Sequence, residues 1–317
     1  MNLHHNINEF FSNSISNITQ KMTTILRDQV DLSQMVQHKN IAYGEHVSHT
    51  CDVWHLKERS LPQPTILYIH GGGFRRLNKD IMWPMAYKYA SLGFTVCSIN
   101  YRLAPEHPCP SALIDVQNAY LWWLDNLPRF GGDINQIFLS GESAGANLAS
   151  GLALASCRPF SLLESTFYRG KRPRAVIAIC PFVEIEVHKR LERHKEKDYP
   201  LKGNLFFQQF LHSIESQYQP KEHSLGDILS CLQSSKPIFH SMPTFYVIGG
   251  TKDPVFLDAV DLHQRLLDSH IQSHFFQYEA GHNFQTYLWN NQSKLFWQDI
   301  KDNLYEFSSK YKTSKKS

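Results

Sequence analysis

A serine lies between small residues in the segment Gly-Glu-Ser-Ala-Gly at 141–145. An apolar run, 137–139, precedes the segment, and an alanine-rich helical pattern follows it. This order predicts a sharp strand-to-helix turn, which closes only if its flanking positions, Gly141 and Gly145, are small. Such a turn projects the Ser143 hydroxyl into a cleft, where it can act as a nucleophile. About one chain in ten of this length carries the pattern by chance, so the strand and helix around it are essential to the prediction.

A serine nucleophile needs an imidazole that takes its proton and a carboxylate that orients the imidazole. Asp253 and His282 each follow a strand-like apolar run directly. Because the carboxyl ends of parallel strands border the ligand cleft, we expect both side chains beside Ser143. Asp258 is the competing acid, but it lies inside a predicted helix, so Asp253 is favoured. The chain has 17 histidines, and the position after the last predicted strand, next to Gly281, distinguishes His282.

A second glycine-rich segment, His-Gly-Gly-Gly at 70–73, follows the apolar run 65–69. Consecutive glycines let the backbone approach a ligand closely and aim its N–H groups at negative charge. In lipases and esterases such a loop donates to the oxyanion of the reaction. A phosphate-binding loop is disfavoured, because neither a Walker lysine nor a completed G-x-G-x-x-G follows. His70 alone does not predict a metal site, since no second ligand lies nearby at metal spacing.

The elements that must position these residues alternate between strand and helix patterns from about 50 to 300. Short runs rich in β-branched and aromatic residues predict strands, and the intervening patterns predict helices. Strands that are apolar on both faces and separated by helices indicate a mostly parallel sheet covered on both sides, an α/β fold. The predicted strands are 65–69, 94–99, 137–139, 175–179, 244–248 and 274–278, and the predicted helices are 80–92, 111–127, 144–157, 255–269 and 292–309.

Two segments interrupt this alternation. Residues 1–35 carry apolar residues at helical spacing, and 181–240 contains a charged piece and an aromatic run without a strand signal. We expect both segments to be helical and to form a cap over the cleft. A membrane-surface helix is the alternative for the first, but its polar residues are Asn, Ser and Gln instead of Lys and Arg. The predicted organisation is N-terminal cap helices 1–45, a catalytic domain 46–180 and 241–310, a cap insertion 181–240, and a basic tail 311–317.

The composition excludes several other classes of protein. The chain has 317 residues, of which 42% are hydrophobic and 19% charged, with a formal charge of +3, as in ordinary globular proteins. No basic stripe interleaves with aromatic residues, so nucleic acid is not an expected partner. Without a signal peptide pattern or an apolar span, we expect a cytoplasmic protein with no stable membrane anchor. The six cysteines form no C-x-x-C pair and lie partly in apolar runs, which is typical of buried thiols in a reducing compartment.

A further block, Asn-Tyr-Arg-Leu-Ala-Pro-Glu-His at 100–107, carries a resemblance to a known family. It resembles the Tyr-Arg-Leu-Ala-Pro-Glu-His stretch of the hormone-sensitive lipase family of carboxylesterases. That family also carries His-Gly-Gly-Gly, Gly-Asp/Glu-Ser-Ala-Gly, Asp-Pro-Leu and Gly-x-x-His-Gly-Phe, in the order found here. The resemblance covers about 50–290.

The resemblance implies an α/β-hydrolase fold with a helical cap, and a serine carboxylesterase for short-chain carboxylic esters. It implies a small-molecule ester as the partner, with no metal or organic cofactor, and it leaves a homodimer open. An amidase or arylformamidase with the same triad also stays open, as does a non-catalytic small-molecule receptor on this fold, although the presence of His282 argues against a receptor. The implied roles are nucleophile for Ser143, acid for Asp253, base for His282, oxyanion donors for the amides of Gly72, Gly73 and Ala144, and motif support for His70, Gly71, Gly141, Glu142 and Gly145.

The chain departs from the family pattern at several positions. No glycine occurs at 74–78, where the family often has one. Arg75 and Arg76 could narrow the cleft or attract an acidic substrate there, but an exposed basic loop is favoured. Ala146 and Asn283 both stand where the family prefers glycine. The aromatic run of the insertion is expected either to line an acyl pocket or to pack a helix on the core; it contains Phe206, Phe207 and Phe210.

Overall fold

The computed structural model describes residues 17–157, 171–194, 205–219, 225–233 and 242–313. Eight strands in this part of the chain form one sheet. The strands are β1 (Met35–Ala42), β2 (Thr50–Leu56), β3 (Gln63–Ile69), β4 (Thr95–Ile99), β5 (Gly132–Glu142), β6 (Ala175–Ile179), β7 (Thr244–Gly250) and β8 (Ser273–Tyr278). The helices are α1 (17–27), α2 (Trp83–Ser91), α3 (Ser111–Asn126), α4 (Ala144–Ala155), α5 (Val187–Arg193), α6 (Leu205–Tyr218), α7 (Ile228–Gln233), α8 (Phe256–Asp268) and α9 (Asn291–Thr313).

The sheet has the strand order β1-β2-β4-β3-β5-β6-β7-β8. The six strands from β4 to β8 in that order pair in parallel, whereas β2 is antiparallel to both of its neighbours. Each of the six predicted runs forms one of the parallel strands. Residues of β4, β6 and β7 are buried throughout, as expected for strands covered on both faces. The fold class is therefore confirmed.

The edge of the sheet differs from the prediction. Residues 35–42 were expected within the N-terminal cap helices, but they form β1, which pairs antiparallel with β2. None of the eight residues of β1 is fully buried, and Lys39 and Asn40 are exposed, because an edge strand has one side without a partner strand. Strand β2 was not predicted either, because polar residues interrupt its apolar pattern. One of them, Asp52, is buried and pairs with the Lys79 ammonium at 2.8 Å. The catalytic sheet therefore begins before residue 46.

Helices cover both faces of the sheet. Buried side chains of α3, α4 and α8 form the core on one face, and those of α2 and α9 form the core on the other. The five predicted helices of the catalytic domain correspond to these five, and α9 extends to Thr313, into the predicted basic tail. All six cysteines are buried free thiols. Burial on both faces leaves only the ends of the strands open to a ligand, and the carboxyl ends carry the sequence motifs.

The N-terminal helix α1 buries only part of the predicted apolar stripe, which includes Ile18, Ile25 and Leu26. Residues 1–16 lie outside the described part of the chain, so only 17–27 can be compared. Thr23 and Leu26 are buried there, and the Thr23 carbonyl accepts a hydrogen bond from Trp83 Nε1 at 3.3 Å. Ile18 and Ile25, which belong to the predicted apolar stripe, are 55% and 59% exposed. None of the described helices, α1 included, is long and apolar enough to cross a bilayer.

The insertion between β6 and β7 contributes α5, α6 and α7, in agreement with its predicted helical character. Its cap boundaries stay a prediction. A buried ion pair attaches α5 to the catalytic domain: the Arg190 guanidinium contacts both carboxylate oxygens of Asp258 on α8, one of them at 2.8 Å. The same carboxylate accepts the backbone N–H groups of Val183, at 2.9 Å, and Glu184, at 3.2 Å. Asp258 is therefore a structural residue at the base of the insertion.

Replacement of Arg190 by alanine tests this attachment. Arg190 is fully buried and Asp258 is 1% exposed, so the variant leaves a carboxylate in the core without its cation. We expect a loss of about 3–5 kcal/mol in the free energy of unfolding, measured by chemical denaturation. His188→Ala on the same helix, where the side chain is 67% exposed, should change it by less than about 0.5 kcal/mol. Equal losses in the two variants would contradict a special role for the ion pair.

Candidate active site

Ser143 occupies the turn between β5 and α4. Its backbone angles are φ 54° and ψ −119°, a strained conformation for a residue with a side chain. A Cβ atom on Gly145 would lie 2.1 Å from the Ile69 carbonyl oxygen, and one on Gly141 would lie 2.4 Å from the Gly145 backbone. Neither glycine can therefore be replaced without moving backbone. The predicted strand-to-helix turn is present, and the serine is 9% exposed.

The glycine loop after β3 lies against this turn. Gly72 and Gly73 have φ values of 103° and 62°, which favour glycine. A Cβ atom on Gly71 would lie 2.7 Å from the Glu142 carbonyl oxygen. Ser143 donates its own amide to the Ile179 carbonyl at 2.9 Å, whereas no acceptor in the described residues pairs with the amides of Gly72, Gly73 or Ala144. These three amides are available to a ligand oxygen.

His70 supports the loop from inside the protein. Its ring stacks on Tyr101 with 4.3 Å between the ring centres, and its Nδ1 lies 2.8 Å from the Gly71 carbonyl oxygen. Tyr101 donates its hydroxyl to the His70 carbonyl at 2.8 Å. Burial lowers the pKa of His70 to about 4, so the ring is neutral and donates from Nδ1. The loop is thereby held at its backbone carbonyls.

The loops after β7 and β8 bring an acid and a base together. His282 Nδ1 lies 2.7 Å from Asp253 Oδ2, and Asp253 Oδ1 accepts the Val255 amide at 2.9 Å. Asp253 is 2% exposed, whereas the His282 side chain is 34% exposed. The carboxylate is thus fixed in the interior, and the imidazole points its other nitrogen away from it. Asp258, the competing acid, is engaged with Arg190 instead.

The pair shifts the protonation of both partners. Burial works to lower the pKa of His282, but the charge and hydrogen bond of Asp253 and the charge of Glu142 outweigh it, so the pKa lies above 6.5. Burial works to raise the pKa of Asp253, but the charge and hydrogen bond of His282 outweigh it, so the pKa lies below its ordinary value. The carboxylate therefore stays ionised and favours a protonated imidazole, as a base needs when it accepts a proton.

Ser143, Asp253 and His282 all line one cavity of about 290 Å³. No hydrogen bond joins the Ser143 hydroxyl to His282 in this structure. Catalytic hydrogen bonds in ligand-free structures are often long and tighten only with substrate. The geometry thus places all three sequence-predicted side chains on one cavity, and Gly72 and Gly73 of the glycine loop line the same cavity.

Helix α6 of the insertion forms the apolar wall of the cavity. Phe207, Phe210, Leu211 and Ile214 all line it, and the first two rings lie 5.8 Å apart. The side chain of Phe206 lies outside the described part of the chain. The expected contribution of the aromatic run to a pocket thus holds for two of its three phenylalanines.

Of the two expectations for Arg75 and Arg76, the structure contradicts the favoured exposed loop and agrees with a position that narrows the cleft. Both side chains are half-buried and line the cavity. Arg75 Nη1 donates to the Ser213 hydroxyl and to Gln217 Oε1, both at 2.8 Å. Since both acceptors lie on α6, the arginine connects the glycine loop to the helix that lines the cavity. Sequence spacing gives no signal for such a contact, because it joins residues about 140 positions apart.

Two departures from the family pattern have a backbone explanation. Asn283 has φ 57° and Leu77 has φ 66°, both in the left-handed region that glycine adopts most easily. Asparagine tolerates that region well, so Asn283 replaces the expected glycine at little cost. Leu77, a bulkier residue, is strained there and lines the cavity.

Cys180 is a neighbour of the acid–base pair that sequence reasoning missed. One ligand atom each from Cys180, Asp253 and His282 lie within 4.8 Å of one another, the only such group of potential metal ligands in the described residues. His70 belongs to no such group. Cys180 follows β6 directly, the same position relative to a strand that identified Asp253, and its φ is 42°. Asp253 and His282 are hydrogen-bonded to each other, and Cys180 lies beside this pair.

An eight-stranded, mostly parallel sheet with a serine on the β5–α4 turn defines an α/β-hydrolase. A family described by the α/β-hydrolase fold matches residues 66–286. The chain belongs to this family, the hormone-sensitive lipase-type carboxylesterases of the α/β-hydrolase fold. All the motifs on which the resemblance was based lie within these matched residues.

Individual relatives agree with this assignment. Esterase LipC of Mycobacterium tuberculosis is 27% identical over 222 residues, which are 69% of this chain and 52% of the relative. A probable carboxylesterase 6 of Arabidopsis thaliana is 35% identical over 144 residues, 43% of this chain and 40% of the relative. The chain thus spans about half the length, or less, of these curated relatives.

Solved structures show the same fold over nearly the whole chain. Esterase B of Lactobacillus rhamnosis superposes with a TM-score of 0.74 at 19% identity, covering 98% of both chains. A hyperthermophilic esterase from Pyrobaculum calidifontis superposes with a TM-score of 0.72 at 20% identity, covering 96% of this chain and 92% of the other. At such identities the likeness concerns the fold alone.

The two aspartates are distinguished by matched substitutions. Asp253→Asn should lower kcat strongly, by up to about 10⁴-fold, because the amide no longer stabilises the imidazolium and favours the wrong tautomer. Asp258→Asn should lower stability, since Arg190 loses its partner, but should leave kcat per folded molecule within about threefold of the wild type. Kinetics on protein whose folded fraction is measured by circular dichroism provide the check. The reverse ranking of kcat would move the acid to Asp258.

Proposed function

We propose that this protein is a serine carboxylesterase that hydrolyses short-chain carboxylic esters through an acyl-enzyme. One observation carries the proposal: a strained serine, a hydrogen-bonded Asp–His pair and two oxyanion-loop glycines line a single cavity. The esterase names of the relatives in this family support the same reaction class. In this proposal Ser143 is the nucleophile, His282 the base and Asp253 the orienting acid.

In the first half-reaction, the Ser143 oxygen attacks the ester carbonyl carbon while His282 Nε2 takes the proton of the serine hydroxyl. The carbonyl π electrons move onto the oxygen, which becomes an oxyanion facing the amides of Gly72, Gly73 and Ala144. His282 then gives its proton to the alcohol oxygen, the carbon–oxygen bond breaks, and the acyl group stays on Ser143. In the second half-reaction a water molecule attacks the acyl carbon while His282 takes its proton. The bond between the acyl carbon and the Ser143 oxygen then breaks, His282 returns the proton to that oxygen, and the carboxylic acid leaves.

The electrostatics of the site favour this sequence of proton transfers. Each oxyanion donor in such a hole is typically worth about 10²–10³ in rate. The amide of Ala144 also opens α4, whose positive dipole end faces the developing negative charge. Ionised Asp253 stabilises the imidazolium that forms at His282. These terms act on the transition state more than on the bound ester, which is what acceleration requires.

The size of the cavity supports short substrates. A cavity of about 290 Å³ lies at the lower end of the range of ligand pockets, about 300–1,000 Å³. Phe207, Phe210 and Ile214 offer an apolar wall to an acyl chain, and none of them supplies a charge. An ester with a short apolar acyl group fits this lining better than a long-chain lipid.

The nucleophile is tested by Ser143→Ala. We expect kcat on a short p-nitrophenyl ester to fall by at least about 10⁴-fold, because the attacking oxygen is gone. Covalent labelling by a fluorophosphonate should modify the wild type at Ser143, as mapped by peptide mass spectrometry, and should not modify the variant. Ser150→Ala is the matched control, since Ser150 is buried on α4 and donates to the Ala146 carbonyl at 2.7 Å. Full turnover by Ser143→Ala would refute the assignment of the nucleophile. If the wild type cleaved N-formyl-kynurenine faster than the ester, an arylformamidase would replace the esterase as the proposed function.

The base is tested by the pH dependence of kcat/KM. Only neutral His282 accepts the serine proton, so activity should rise with pH and fall on the acidic side. Because the pKa of His282 is raised, the midpoint of the acidic limb should lie above pH 6.5. A series of buffers from pH 5 to 9 at constant ionic strength measures the limb. A profile that stays flat from pH 5 to 8 would contradict a histidine base.

A further inference from the structure

Glu142, directly before the serine, is a fully buried carboxylate in the described structure. Two groups donate to it: the Tyr68 hydroxyl to Oε2 at 2.6 Å and the Gly71 amide to Oε1 at 2.7 Å. A buried carboxylate is costly unless its oxygens are satisfied, and here both oxygens have a donor. One of these donors belongs to the oxyanion loop.

We propose that Glu142 is a positioning residue that sets the oxyanion loop against the nucleophile. This inference rests on the proposed function, since it assigns the loop and the histidine to catalysis. It extends that function to a side chain that does not line the cavity. Glu142 acts on the loop through its hydrogen bond with the Gly71 amide and on His282 through its charge.

The positioning follows from where the two ends of Glu142 lie. Its backbone precedes Ser143, and its side chain holds the Gly71 amide, so one residue links the nucleophile turn to the oxyanion loop. From the other side, His70 Nδ1 contacts the Gly71 carbonyl at 2.8 Å, and the Tyr101 hydroxyl contacts it at 3.3 Å. The Gly71 residue is thus held at both its amide and its carbonyl. The next two amides along the chain are the loop's proposed oxyanion donors.

A carboxylate fits this place better than an amide. Gly71 N–H and Tyr68 O–H are both donors, and only an ionised carboxylate offers an acceptor to each without a donor of its own. Glutamine would retain one acceptor and aim an NH₂ group at the second partner. The two contacts therefore favour a carboxylate at this place.

The charge of Glu142 acts on His282 through the protein interior. It raises the pKa of His282, together with Asp253 and, more weakly, Asp258. Burial raises the pKa of Glu142 itself to about 7, even though both hydrogen bonds and the charge of His282 oppose that rise. The charge is thus present above about pH 7, where the proposed base is active. The titratable groups facing Glu142 are Tyr68 of β3, Tyr89 of α2, Tyr101 after β4 and His282 after β8.

Glu142→Gln separates the charge from the space that the side chain fills. We expect kcat on the short p-nitrophenyl ester to fall by between about tenfold and a hundredfold, less than for loss of an oxyanion donor itself. KM should change by less than about threefold. The acidic limb of kcat/KM should move to lower pH, because the imidazolium of His282 loses a stabilising charge. A residue with a purely structural role would lower the melting temperature without moving the limb.

Glu142→Asp is the second arm, and it keeps the test decisive if the first variant fails to fold. Aspartate retains the charge but falls one methylene short of the Gly71 amide. Its kcat should fall while the acidic limb stays within about 0.3 pH units of the wild type. Glu184→Gln is the matched control, a buried glutamate at 2% exposure that does not line the cavity; it should leave both kcat and the limb unchanged.

The outcomes separate this inference from the proposed function. Wild-type kcat in Glu142→Asp, or in Glu142→Gln with an unmoved limb, overturns the role of Glu142 alone. Failure of the wild type to turn over the ester or to be labelled at Ser143 overturns the proposed function, and this inference with it. Fluorophosphonate labelling of each variant, measured as a rate, reports on the nucleophile independently of product release.

Discussion

The close backbone contact between the loop after β3 and the β5–α4 turn is the constraint on which the site depends. Ile69, Gly71 and Gly141 approach so closely that Cβ atoms on the glycines would overlap neighbouring backbone. Gly72 and Gly73, which follow this contact, line the same cavity as Ser143. Parallel pairing of β3 with β5 brings the two segments to the same edge of the sheet.

Several buried carboxylates differ in their partners. Asp258 and Asp115 are held by arginine side chains and stabilise the attachment of loops and helices. Asp253 instead faces His282, a base that is partly open to the cavity. Glu142 lies between the two roles, since it holds backbone and also acts on the imidazole by its charge. A buried carboxylate paired with arginine therefore stabilises the fold, whereas one paired with a partly exposed histidine can influence proton transfer to a ligand.

Sequence reasoning succeeded where a signal is local. The parallel strands are continuous apolar runs, and each was predicted near its observed position. Prediction failed for β1, an edge strand whose solvated side removes the apolar signal, and for β2, whose polar residues are buried by pairing. For Arg75 the sequence favoured an exposed loop over a position that narrows the cleft, and it gave no signal for the contact with a helix far along the chain. The stripe on α1 was predicted in the right place, but Ile18 and Ile25 face outward, because the docking of Trp83 on Thr23 sets the rotation of the helix.

The amino-acid sequence by itself determined the shapes of the two glycine-rich turns, the order of nucleophile, acid and base, and the alternation that builds the sheet. These depend on the conformational freedom of single residues and on periodicity, which are local properties. Only the tertiary structure decided that Asp258 pairs with Arg190, that Arg75 contacts α6, and that Glu142 reaches Gly71. Each of these is a contact between side chains or backbone groups distant in the chain, and its energy depends on distances that exist only after the sheet and the insertion have packed.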